Sequence, residues 1–177
     1  NWCEGLTAYM ADHLFAEQRG ESATYRRATL KKFTDLVADD NDFPLADFGS
    51  RQSAASEAIG YGKSLMLFHM VRRALGDEAS LAGLGRIDDQ HRYGRASFAD
   101  IAAALTAEAG GDGAPFVDEW VSRTGAPSLG IVGVEVTEDP ASELRFTTTV
   151  RVRQTGVEKP FPLTVPIAVT VEGIDEA

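Results

Sequence analysis

The stretch 56-SEAIGYGKSLMLFHMVRRALG-76 decides how the rest of the chain is read. From Ser64 to Leu75 it is apolar nearly all round, the pattern of a buried helix rather than of one lying on a surface. Gly76 is placed to end it, since glycine is the usual residue just past a helix C-terminus. "SLMLFHMV" then supplies the core of a helical assembly, with Leu67 and Phe68 in its interior. The "GYGKS" ahead of it faintly echoes a phosphate loop but is not one. The G-x-x-x-x-G-K-[ST] pattern needs a glycine at position 57, where this chain has Glu57, and no strand precedes it.

Working outward, the first two-thirds of the chain read as helix. Leu6, Tyr9, Met10 and Leu14 recur at helical spacing between Glu4 and about Arg19, with Gly20 as the stop. Tyr25, Ala28, Phe33, Leu36 and Val37 predict a second helix, ending at the turn-forming "ADDNDFP". "DEASLAGLGRIDDQHRYG" is a weaker fourth helix. In "SFADIAAALTAEAGG" Ser97 is the N-cap, Asp100 stands three residues on, and Gly110–Gly111 is the stop. "APFVDEWVSRTG" closes the helical part at Gly125.

After Pro127 the pattern changes to period two. "SLGIVGVEVTED", "ELRFTTTVRVRQ" and "PFPLTVPIAVTVEG" are rich in Val, Thr and Phe and predict three strands. Leu144, Phe146, Thr148, Val150 and Val152 share one face, and Arg145, Thr147, Thr149, Arg151 and Arg153 the other. Three strands cannot close a barrel and leave edges open. The fold class expected is mainly α with a C-terminal β segment.

With 177 residues, 44% hydrophobic and 25% charged, the composition is that of a globular domain. A net charge of −10 without basic clusters argues against nucleic acid as a partner, because phosphate would be repelled. The longest apolar run is too short to span a bilayer. Nothing in the composition assigns a compartment. The lone Cys3 excludes an internal disulfide.

Chemistry-bearing residues are few. Glu4 falls at a helix start, where the helix dipole favours a carboxylate. His13, His69 and His91 are spaced too far apart for a local zinc motif. His69 reads as a satisfied core histidine, and His13 and His91 as surface or helix-end residues. Cys3 reads as structural, because no histidine is placed to activate it. "YRRATLKK" and "VRRALG" read as solvated helix faces.

Three stretches taken together change these weights. They are "NWCEGLTAYMAD", "AIGYGKSLMLFHMVRRALGD" and "ASFADIAAALTAEAGGDGAPFVDEWVSRTGAPSLGIVGVEV". In order and spacing they resemble the M1 family of zinc aminopeptidases, gluzincins related to thermolysin. The first is similar to the family's W-x-x-E-G-[FL]-[AT]-x-[YF] helix, whose glutamate is the third protein ligand of the zinc, and places that role on Glu4. The second is similar to the Y-x-K-[GS]-x-x-[VLM] helix, whose tyrosine assists catalysis, and places that role on Tyr61. The two lie 61 − 4 = 57 positions apart. The third resembles the W-[IV]-x-x-x-G-x-P stretch that leads into a β-sandwich.

The resemblance implies that residues 1–127 are the helical half of a thermolysin-like catalytic domain, and that 128–177 begin a β-sandwich domain. It also implies a parent enzyme that removes N-terminal residues from peptides with metal-activated water, the rest of the catalytic domain packing on 1–127. The departures are equally definite. H-E-x-x-H is absent, Cys3 stands where the family has Asn, and Gly62 where it has Glu. The expectation is therefore a fragment, inactive alone, with Zn²⁺ belonging to the parent and none bound by this chain. The alternative is a non-catalytic helical binding or scaffold module of a peptidase-like protein.

Overall fold

The computed structural model describes residues 1–108, 117–139 and 142–169. The chain begins with α1 (Cys3–Ala8), which runs through a π-helical turn (Tyr9–His13) into α2 (Leu14–Gln18). Gly20, at φ 75°, breaks it before α3 (Ser22–Leu36). After a 3₁₀ turn (Leu45–Asp47), α4 (Ala54–Glu57) passes through a second π-helical turn (Ala58–Lys63) into α5 (Ser64–Leu75). Ser53 caps α4: its hydroxyl accepts from the Ser56 N–H, while the Ser56 hydroxyl accepts from the Ser53 N–H.

Gly76, at φ 84°, ends α5, and the predicted fourth helix is a full one, α6 (Asp77–His91). At α7 (Phe98–Glu108) the expected cap is present, with the Ser97 N–H and hydroxyl both donating to Asp100 Oδ2 at 2.7 and 2.8 Å. The predicted stop at Gly110–Gly111 lies outside the described residues. α8 (Val117–Ser122) completes the helices, followed by Gly125 at φ 76°. No helix among the described residues is long and apolar enough to cross a membrane.

The core lies where the 56–76 stretch puts it. Leu65, Leu67, Phe68 and Val71 of α5 are buried, packed with Tyr9, Leu45, Phe48, Ile59, Ile101, Leu105 and Val117. Two glycines let these elements approach closely. A Cβ on Gly5 would stand 2.1 Å from Ser64 Oγ, and one on Gly60 would stand 2.2 Å from the Phe48 ring. Only the missing side chain permits either contact.

β1 (Ser128–Asp139) and β2 (Ser142–Thr155) form an antiparallel two-stranded sheet, with Val134 opposite Val150 and Val136 opposite Thr148. One residue bulges between Ile131 and Gly133. The predicted third strand differs from what is found: residues 160–169 pair with neither strand. Pro160, Pro162 and Pro166 each lack the N–H a ladder needs. The segment returns instead to the helices. Phe161 is buried, its ring 4.2 Å from that of Trp120, and Trp120 Nε1 donates to the Pro162 carbonyl at 3.2 Å.

Candidate active-site pair and a second polar cluster

Glu4 stands in the first turn of α1 and is half-buried. Its helix is pinned at the start by Trp2, whose Nε1 donates to the Ala96 carbonyl at 2.6 Å. Tyr61 comes from the second π-helical turn, with its ring set edge-on to Phe48 at 6.0 Å. Gly5 rests directly on Ser64, so α1 and the start of α5 are in backbone contact. The Tyr61 hydroxyl is close enough to the Glu4 carboxylate to feel it. Hydrogen bonding to that acceptor, then burial, raises its pKa above the ordinary phenol value, and the nearby Arg51 opposes the shift. Residues 57 positions apart in sequence thus meet at one place, as a carboxylate beside a neutral hydroxyl donor.

Lys63, two residues beyond Tyr61, is buried, and its Nζ donates to the Arg123 carbonyl at 2.6 Å. Burial brings its pKa down to about 8, against the pull of Asp42. Through this bond the Tyr61 turn is tied to the segment that leads into β1. Cys3 is exposed.

Among the described residues, no three His, Cys, Asp or Glu side chains gather closely enough to hold a metal ion. A catalytic zinc takes three protein ligands. One carboxylate with a tyrosine beside it does not fit a complete site.

A second polar cluster is not legible in the sequence. His13, which reads there as a surface or helix-end residue, has no exposed surface at all. It stacks on Tyr9 with ring centroids 4.9 Å apart, and Arg26 donates to its Nε2 at 2.8 Å. The Tyr9 hydroxyl lies 3.4 Å from His69 Nδ1. Burial, joined by Arg26, lowers the pKa of His13, and the same causes with His13 and Arg73 bring His69 down to about 4. Arg72 is no solvated face either: it makes paired bonds with both Glu17 (2.9 and 3.1 Å) and Asp77 (2.7 and 3.1 Å). The one sequence signal for this cluster is Tyr9, His13 and Glu17 at four-residue intervals, a polar stripe along an otherwise apolar helix.

Comparison with known proteins fits the motif reading. No family model matches the chain. Aminopeptidase N of Lactococcus lactis subsp. lactis is 39% identical over 82 residues, 46% of this chain and 9% of the relative. Aminopeptidase 2 of Candida albicans is 26% identical over 121 residues, 68% of this chain and 13% of the relative. A probable M1 family aminopeptidase of Encephalitozoon cuniculi is 26% identical over 117 residues, 66% of this chain and 13% of the relative. The chain is thus similar to M1 aminopeptidases over about half to two-thirds of its length, and that match spans roughly a tenth of theirs.

Proposed function

We propose that residues 1–127 are the helical part of the catalytic domain of an M1-type zinc aminopeptidase acting on peptide N-termini, and that 128–177 open its β-sandwich domain. In this reading Glu4 supplies one carboxylate ligand to a zinc whose other ligands come from an H-E-x-x-H helix outside this sequence. Tyr61 is the catalytic hydroxyl. The observation that carries the reading is the meeting of Glu4 and Tyr61 across the Gly5–Ser64 contact. The named relatives support the same family.

The chain's own contribution rests on its geometry. A hydroxyl whose proton is held more tightly than usual stays a donor throughout the neutral range. Placed beside a scissile carbonyl, it stabilises the negative charge that develops on the oxygen, where a comparable donor contributes about 2.7–4 kcal/mol. Phe48 and Gly60 fix the Tyr61 turn, so the donor is set in place before a substrate arrives.

Two measurements test the reading. In the full-length protein, Tyr61→Phe is expected to lower kcat by about 10²–10³-fold with KM little changed. Unchanged turnover would remove Tyr61 from the reaction. Zinc titrated into the 177-residue chain by calorimetry is expected to show no tight site, because a single carboxylate makes none. A tight one-to-one site would mean that this chain carries its own ligand set.

A further inference from the structure

Arg26 and Arg73 raise a question that the peptidase reading leaves untouched. A half-buried guanidinium normally faces a carboxylate. Arg26 instead donates to His13 Nε2, an uncharged acceptor. Because an arginine can only donate, that nitrogen carries no proton, and the imidazole proton sits on Nδ1. His13 Nδ1 is fully buried and has no hydrogen-bond partner among the described residues, the nearest carboxylate oxygen being Glu17 Oε2 at 3.9 Å. Glu17 and Asp77 are the carboxylates at hand, and Arg72 takes up both with paired bonds. Among the described residues neither Arg26 nor Arg73 has an ion-pair partner.

Arg26 and Arg73 border a single cleft of about 1060 Å³. Arg26, His69 and Arg73 line it with the apolar side chains of Met66, Met70 and Leu163, and so do Arg72 and the two carboxylates it pairs with, Glu17 and Asp77. His69 faces Tyr9 and His13 from the π-helical turn, Arg26 from α3, Arg73 from its own helix, and Glu17 from α2. Burial is the first cause that keeps this imidazole neutral, and the two arginines, outweighing the one carboxylate among these groups, reinforce it. With Glu17 and Asp77 both taken up by Arg72, the lining keeps a small positive excess, carried by Arg26 and Arg73 beside apolar walls, in a chain with net charge −10. Guanidinium forks match planar carboxylates in geometry.

We propose that this cleft binds a carboxylate carried on an apolar group, with Arg26 and Arg73 holding the carboxylate and Met66, Met70 and Leu163 receiving the apolar part. Such a ligand gives Arg26 the counter-charge it lacks. It also offsets the repulsion from Arg26 and Arg73 that adds to burial in keeping His69 uncharged. The proposal does not depend on zinc or on peptidase activity.

The test uses the 177-residue chain, with N-acetyl-leucine as the probe and its uncharged amide as the control, followed through the histidine ring signals by NMR. N-acetyl-leucine is expected to saturate and to raise the His69 midpoint, about 4 in the free chain, by about one pH unit. The amide is expected to do neither. Arg73→Gln, at an exposed position, leaves the fold intact and weakens binding about tenfold, the usual effect of losing one charge-assisted hydrogen bond. Arg26→Gln weakens it further, provided its circular dichroism matches that of the parent chain. An equal response to the amide, an equal shift from sodium chloride at matched ionic strength, or unaltered affinity in Arg73→Gln would each overturn the proposal.

Discussion

The helices and the hairpin solve the same problem with opposite success. In the helical part, Leu45, Ile59, Leu65 and Leu105 have at most 1% of their surface exposed. On the hairpin, Ile131, Val134, Val136 and Phe146 are 58–69% exposed, although the strands alternate regularly on either side of the bulge. Periodicity decides which face is apolar, but only a partner layer turns that face into stability. The helices supply layers to each other. Two strands alone are marginal in water, and this pair is fastened chiefly through the proline-rich segment on its C-terminal side. Gln154 bonds both the N–H and the carbonyl of Phe161, and Phe161 lies between Trp120 and the Arg123 guanidinium, which sits 3.8 Å from its ring.

Substitutions can break this contrast. Phe68→Ala, in the heart of α5, is expected to cost about 3–5 kcal/mol in a urea melt of the chain. A loss below about 1 kcal/mol would mean that the helical core does not carry the stability. Gly5→Ala comes next, because the new methyl would overlap Ser64 Oγ. Overpacking of this kind costs about 1–3 kcal/mol. Ser64→Gly in the same chain should recover much of it, although the Ser64 backbone carbon still stands 3.0 Å away. Failure of the pair to recover any would show that the helices are not held by this contact.

Acid should act on the helical part through His13 and His69. Both have folded-state pKa values below the ordinary imidazole value of 6.5, His69 at about 4. The unfolded chain therefore binds more protons between about pH 6.5 and 4, and stability falls as pH drops through that window. The urea midpoint should be lower at about pH 5 than at about pH 7, and His69→Asn should flatten the difference. An equally steep fall in that variant would assign the effect elsewhere. Val134→Thr on the hairpin gives the smallest change, within about 0.5 kcal/mol. A loss as large as that of Phe68→Ala would mean that the hairpin face is covered in solution.

How much of this is legible in the sequence depends on the range of the interactions involved. The helices, the Ser97–Asp100 cap and the stops at Gly20 and Gly76 depend on residues a few positions apart, and all are where the periodicity puts them. In 160–169 three prolines overrule the alternation, one local signal defeating another. Arg26, Arg72 and His13 read as solvated because their surroundings are assembled from afar: Arg72 reaches Glu17 across 55 positions. Gly5 and Gly60 look like ordinary small residues until Ser64 and Phe48 arrive against them. The Glu4–Tyr61 pair is visible only through its motifs, since nothing in periodicity joins positions 57 apart.

The two π-helical turns carry a consequence for how such sequences are drawn. Each inserts surplus residues into a ladder of i→i−4 bonds, so the helix before it and the helix after it are out of phase. On a single helical wheel spanning 54–75, Tyr61 and the Leu65–Phe68 face would be assigned angles that the chain does not have. The interruption lets one continuous rod aim its core side chains inward and its tyrosine at Glu4, two directions that an unbroken helical period would have locked together.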